Sequence, residues 1–205
     1  MKIACIVEGH GEVEAVPILV RRIAETVGVY PEVLHPMRVP ASRLIKAGEL
    51  ERAVEFAARR CGPDGSILIV LDCDDDCPAE MGPQLLARAA PIRQHQRITV
   101  VLAKREYEAW FLASATSIAG RRGLPIDLTP PDDPEAIRDA KGWLADRMDE
   151  GAYSETTDQA ALTAVFDMAT ARCADSFDKC WREVIRLTAR AVPKEDAAVP
   201  GGDDP

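Results

Sequence analysis

Three short, almost wholly apolar runs constrain this chain more than any other feature: KIACIV at 2–7, SILIVL at 66–71 and ITVVLA at 98–103. A strand that shows one face to water alternates apolar and polar residues, whereas a strand covered on both faces reads as a continuous apolar run. Stretches of helical period lie between these runs. Val16, Leu19, Val20, Ile23, Ala24 and Val27 fall at helical spacing within 13–27. Pro17 cannot donate to a helical ladder, so the regular helix is expected to start near Glu14 and to hold Pro17 in its first turn. Residues 33–39 read as a weaker strand broken by Pro36. Residues 41–61 read as mostly helical, with Leu50, Val54, Phe56, Ala57 and Ala58 as the apolar stripe, before a Gly62-Pro63-Asp64-Gly65 turn. A further helix is expected around 81–90. Strands alternating with helices predict a doubly wound α/β sheet, mainly parallel.

Beyond Lys104 the pattern changes. Helices are expected at 106–115, 134–150, 157–172 and 176–190, with a Pro/Asp-rich loop at 124–134. The implied organisation is an α/β core over 1–115, a helical extension over 116–190 packed on it, and a disordered tail, AVPKEDAAVPGGDDP, over 191–205. With 47% hydrophobic and 29% charged residues the chain is globular in composition. No stretch approaches the roughly 20 apolar residues of a membrane span. The opening residues read as a strand and not as a signal peptide, so the cytoplasm is the expected compartment. Six scattered cysteines form no CxxC pair and are expected to stay reduced. The spacing of Cys73, Cys77, Cys173 and Cys180 does not match structural zinc. A net charge of −9 opposes unaided binding to nucleic acid, and a partner supplying positive surface would answer that.

Acidic residues gather where the apolar runs end. Glu8-Gly9-His10-Gly11-Glu12 follows the first run, and the carboxyl ends of parallel strands line the ligand crevice of an α/β sheet. Asp72 and Asp74 end the second run. Two residues apart in extended chain, they would share one face, where two carboxylates repel unless a proton or cation lies between them. Magnesium suits an all-oxygen set. Asp75 and Asp76 are expected to be exposed, with Asp76 as an outer ligand. Lys104-Arg105-Glu106-Tyr107-Glu108 follows the third run. If that segment is helical only one glutamate points inward, and Glu108 is the choice, with Lys104 placed to meet a phosphate. Each motif also has a plain structural reading: a glycine turn before a helix, a solvated Asp-rich loop, a polar helix start. His10 is expected to be a solvated turn histidine.

VEGHGEVEAVP is similar to the VEGxTExxxxP opening of Toprim domains in overcoming-lysogenization-defect nucleases, with Glu8, Glu12 and Pro17 on the matching positions. LDCDDD resembles the Toprim DxD through Asp72 and Asp74. REYEAWFLA, DAKGWL and the DSFDKC segment resemble a short Toprim-like family labelled a domain of unknown function, which includes the AriB effector of the PARIS phage-defence system. The resemblance spans most of 1–190. It implies a Rossmann-like Toprim core, divalent metal (Mg2+ or Mn2+), phosphodiester cleavage of DNA, RNA or tRNA, and an ATPase partner. Carried over, Glu8, Asp72 and Asp74 would hold one metal, Glu12 and Glu108 would serve a second, and Lys104 or Lys141 would neutralise the phosphate. Gly11 stands where the nuclease pattern has threonine, so a hydroxyl role is lost. With Tyr107 read as packing, hydrolysis by an activated water is the simpler chemistry. Two other classes fit parts of the pattern. One is a phospho-receiver module using Glu8, Asp72 and Lys104. The other is a non-catalytic docking partner of an ATPase presenting the Trp143 and Trp181 helices. Homo-oligomerisation stays open.

Overall fold

A computed structural model describes residues 1–149 and 152–189. Five parallel strands form one sheet: β1 (Lys2–Val7), β2 (Glu32–Val33), β3 (Met37–Arg38), β4 (Ser66–Asp72) and β5 (Arg97–Ala103). Their order is β2-β1-β4-β5, and β3 pairs with the other end of the same edge of β1. β1 and β4 run in register from Ile3↔Ser66 to Val7↔Val70, and β4 and β5 from Ser66↔Arg97 to Asp72↔Ala103. The weak strand expected over 33–39 is thus two short pairings on one edge, with Pro36 between them.

The apolar runs are continuous because both sheet faces are covered. Ile3, Cys5, Val7, Leu68, Val70, Val101 and Ala103 enter one core, while Ala4, Ile6, Ile67, Ile69, Leu71, Val100 and Leu102 enter the other. On the second face lie α3 (Glu49–Cys61) and α4 (Pro78–Ala89), and on the first lie α1 (Glu12–Glu25) and α10 (Asp175–Thr188). The expected α/β layering is therefore present.

Several helices differ from the sequence reading, each for a local reason. α1 begins at Glu12, since the Gly11 carbonyl already accepts from the amides of Glu14 and Ala15, so Pro17 lies inside the helix and not in its first turn. The helix expected over 41–61 breaks into α2 (Ala41–Leu44) and α3, with Gly48 at φ 80° between them. Phe56 is 52% exposed and not part of the stripe. The stripe that closes is Leu50, Ala53, Val54, Ala57, Ala58 and Cys61, spaced three and four apart, and position 56 points away from it. The helix expected at 106–115 starts only at α5 (Ala109–Ala113) and is followed by α6 (Ala115–Ile118). That expected at 134–150 reduces to a 3₁₀ turn at Pro134–Ala136 and to α7 (Ala140–Ala145), which Asp139 caps. That expected at 157–172 becomes a π-helical turn (Glu155–Gln159), α8 (Ala160–Thr163) and α9 (Met168–Ala171), which Asp167 caps. The tail expected over 191–205 lies outside the described residues.

The apolar cluster on the α1 face runs through position 115 without a break. Tyr107, Trp110, Phe111, Phe166 and Phe177 are fully buried and linked by ring contacts of 4.6–5.6 Å. Buried polar atoms in this packing are paired. Trp110 Nε1 donates to Ser176 Oγ at 2.8 Å, and the Ser176 amide at the start of α10 donates to buried Glu135 Oε1 at 3.0 Å. Arg22 on α1 donates to the carbonyls of Thr163, the last residue of α8, and of Phe166 beyond it, at 2.6 and 2.9 Å. These ties fix the later helices against the α1 face of the sheet. No helix among the described residues is long and apolar enough to cross a membrane.

A candidate carboxylate site around Lys141

The parallel register delivers the three acidic segments to the same end of the sheet. β1 ends at Val7 and gives Glu8. The turn through Gly9, His10 and Gly11 leads to Glu12, the first residue of α1, whose side chain folds back so that Oε2 accepts from the amides of Glu8 (3.1 Å) and Gly9. Gly11 is required here by close approach. A Cβ on it would lie 2.2 Å from Gln159 Oε1 and 2.5 Å from the Glu155 carbonyl oxygen. The π-helical turn is thus seated directly on the glycine loop, and a side chain at position 11 has no room. His10 is exposed, as expected.

Asp72 is the last residue of β4, and its Oδ1 accepts from the Tyr107 amide at 2.9 Å. Asp74 does not continue the strand after Asp72, although its charge still acts on Glu8 and raises that carboxyl. The strand has ended, Asp74 takes φ 44°, and its amide donates to the Arg105 carbonyl at 3.1 Å while the residue is exposed. The alternation argument fails because it assumed extended backbone through 74. The choice of Glu108 alone is also corrected. Residues 106–108 precede α5, so helical geometry does not separate them, and both glutamates turn toward Lys141. Glu106 Oε2 accepts from the Lys141 amide at 3.1 Å. Glu108 is fully buried, and its Oε1 accepts from Tyr153 Oη at 2.8 Å and Gln159 Nε2 at 3.0 Å.

The cation at the centre is Lys141 and not Lys104, which makes no ion pair among the described residues. Asp139 caps α7 by accepting from the Gly142 amide at 2.7 Å, which sets the first turn that carries Lys141. Lys141 Nζ lies 3.8 Å from Asp72 Oδ2, 3.8 Å from Glu106 Oε1, 3.9 Å from Glu108 Oε2 and 2.9 Å from Glu155 Oε1. Tyr153, Glu155 and Gln159 lie beyond the sequence reading, because they sit in and beside a π-helical turn that no sequence period marks.

One ammonium among so many carboxylates leaves the site underneutralised, and proton affinities respond. Burial pushes the Glu108 carboxyl up to about 7, with Lys141 and the Tyr153 hydroxyl opposing the shift. Burial and then the neighbouring charges of Glu12 and Glu108 hold Asp72 well above the usual carboxylate range. Burial likewise raises Glu12 and Glu8, with the amides of Gly9 and of Ala41 and Asp72 respectively offsetting part of it. Burial works against a charged Lys141, yet Glu108, Asp72, Glu155 and Glu106 outweigh it and raise its pKa.

Glu8 Oε2 and Glu108 Oε2 are buried with no hydrogen-bond partner, as is Gln159 Oε1. Such oxygens are costly unless something electropositive meets them. Among the described residues no three His, Cys, Asp or Glu side chains are grouped tightly enough to enclose a metal as they stand. All six cysteines are free.

The family described as Domain of unknown function (DUF4276) matches residues 7–185. The chain belongs to that family. No curated protein and no solved structure matches it significantly. The DUF4276 match runs from the end of β1 almost to the end of α10. It therefore takes in Glu8, Glu12, Asp72, Glu106, Glu108, Lys141 and Glu155, together with the helices that close over them.

Proposed function

We propose that this DUF4276 chain is a metal-dependent nuclease that hydrolyses phosphodiester bonds of DNA or RNA at the Lys141-centred cluster. The observation that carries the reading is the pair of buried carboxylate oxygens that accept no hydrogen bond, Glu8 Oε2 and Glu108 Oε2 (the latter met only by Lys141 Nζ at 3.9 Å), together with Asp72 at the carboxyl end of a parallel sheet. Their all-oxygen chemistry fits Mg2+ or Mn2+ and not a soft metal. Glu8, Asp72 and Glu108 would hold the cation, with Asp74 at the open rim. When bound, such a cation supplies Lewis-acid polarisation and makes water acidic enough to act as a nucleophile.

The chain's own residues do the rest. Glu12 spends one oxygen on the Glu8 and Gly9 amides, so it shapes the loop that presents Glu8. Tyr153 and Gln159 fix one oxygen of Glu108 and leave the other facing the cluster. With its other oxygen held in this way, Glu108 would offer its free oxygen to the cation, and the proton lost by the attacking water would leave to solvent. Lys141 holds positive charge where a phosphoryl oxygen would gain negative charge. A phospho-receiver would place Lys104 opposite Asp72, and Asp72 instead faces Lys141. An ATPase partner and a role in phage defence belong to the same reading, since an acidic chain gains from a partner that delivers nucleic acid. The test is incubation of the purified chain with single- and double-stranded DNA and with RNA, in Mg2+, in Mn2+ and in EDTA. Metal-dependent strand scission that Asp72→Asn abolishes supports the proposal. Scission that persists in EDTA or in Asp72→Asn removes it.

A further inference from the structure

We propose that Arg105 and Arg138 form a phosphate-binding site at the rim of the carboxylate cluster, filled in the free protein by the Asp75 carboxylate and taken over by a phosphodiester of the bound nucleic-acid strand. The identity of the strand as substrate rests on the nuclease reading, whereas the site itself rests on the geometry of this rim. Arg105 Nη1 donates to the Asp74 carbonyl at 3.0 Å and also to Asp75 Oδ1. Arg138 Nη2 lies 3.1 Å from the same Oδ1. One anionic oxygen between two guanidinium groups is the arrangement arginines offer a phosphate, and a phosphodiester carries the same single charge as the carboxylate.

The donors are underused. A guanidinium has five N–H groups, and Arg105 Nε is buried without a partner. The backbone is also held in an unusual state. Asp74 (φ 44°) and Arg105 (φ 69°) are both non-glycine residues in left-handed conformation, and they face each other in an isolated antiparallel bridge. Strained backbone of this kind persists where surrounding structure enforces it, and it gathers at ligand sites. Here it throws Asp75 outward and turns the Arg105 side chain inward, leaving it 21% exposed against 66% for Asp75.

Position makes the rim relevant to the cluster. Arg105 adjoins Glu106, Arg138 precedes Lys141 by three residues, and Asp75 follows Asp72 by three. A phosphate seated on the two arginines would therefore meet the same loops that carry Asp72, Glu106 and Lys141. Asp75 is replaceable without loss of packing, because it is a solvent-exposed carboxylate on a loop. An acidic chain that masks its phosphate-binding arginines with its own aspartate would show weak affinity for nucleic acid until the mask is displaced.

The experiment is fluorescence anisotropy of a labelled single-stranded oligonucleotide in EDTA, where no cleavage occurs, with wild type, Asp75→Asn, Arg138→Gln and the double variant. Glu80→Gln, which removes one exposed charge from α4 without touching an arginine, controls for net charge. Asp75→Asn should tighten binding by roughly tenfold, as expected for freeing two guanidinium groups that share one anionic oxygen. Arg138→Gln should weaken it and lower the salt dependence by about 0.7 of a unit of slope, the share of one phosphate contact on a single strand. The double variant should lose the gain. Equal effects of Asp75→Asn and Glu80→Gln, a gain that survives in the double variant, or binding too weak to measure in every protein would each overturn the site. Cleavage in Mg2+ is scored separately. An Asp75 effect without cleavage keeps the site and sinks the nuclease reading, and cleavage without an Asp75 effect does the reverse.

Discussion

Replacing Glu108 by Gln should make the metal-free protein more stable at mildly alkaline pH and change little in acid. The carboxyl is fully buried and holds its proton up to about 7, against an ordinary value of 4.5. Between those two values the native state binds more protons than the unfolded chain, so unfolding free energy falls as pH rises. The contribution of the protonated carboxyl is complete below 4.5 and gone above about 7, and the difference of about 2.5 units corresponds to about 3 kcal/mol. A glutamine keeps an oxygen to accept from Tyr153 and Gln159 but cannot ionise. Groups facing Glu108 titrate in the same sense or not at all. Asp72 and Glu12 are raised as well, while Lys141 stays charged across the window. Wild type therefore keeps a residual slope, and the difference between the two proteins isolates Glu108. The assay is urea unfolding of both in EDTA at about pH 4.5 and about pH 8, read by tryptophan fluorescence. Near-equal stability in acid and a variant more stable by about 3 kcal/mol in base, roughly 10 °C in melting temperature for a chain of this size, is the expected result. Parallel pH profiles, or a variant that is less stable in base, would refute the reasoning.

Gly11→Thr should cost about 1–3 kcal/mol, because its Cβ meets Gln159 and the Glu155 carbonyl and must push the π-helical turn off the loop. Urea unfolding measures the cost, and loss of the near-UV signal of Tyr153 would report the displaced turn. Asp139→Ala should cost about 1 kcal/mol by uncapping α7, with Asp139→Asn largely restoring it. Equal loss in both variants would show that the cap is not the cause.

The sheet was legible because its strands are covered on both faces, and a run such as SILIVL has few other places to go. That helices cover both faces of the sheet followed from 3.6-residue spacing, although the start of α1 and the break before α3 did not. What failed was backbone that departs from either period. Asp74 was placed beside Asp72 on the premise of extended chain, and its left-handed φ turns it out to the rim. Glu106 was set aside on the premise of a helix that in fact begins at Ala109. Glu8, Glu12, Asp72 and Glu108 were readable because strand ends are readable. Lys141 was named only through a resemblance, and Glu155, Tyr153 and Gln159 not at all, since their approach depends on how a π-helical turn packs against a glycine some 140 residues earlier in the chain. Gly11 has no room for a side chain because the π-helical turn packs directly on it.

The central claim is that the buried carboxylates around Lys141 take up a divalent cation, and thermal unfolding of wild type and Asp72→Asn over a Mg2+ and Mn2+ titration tests it most directly. A ligand of the native state stabilises by RT ln(1 + [L]/Kd), about 2.7 kcal/mol at a hundredfold excess over Kd. For a chain of this length that is a rise of roughly 5–10 °C. A saturable rise of that order in wild type, absent in Asp72→Asn, is the predicted result. No rise in wild type, or the same rise in both proteins, would contradict the claim.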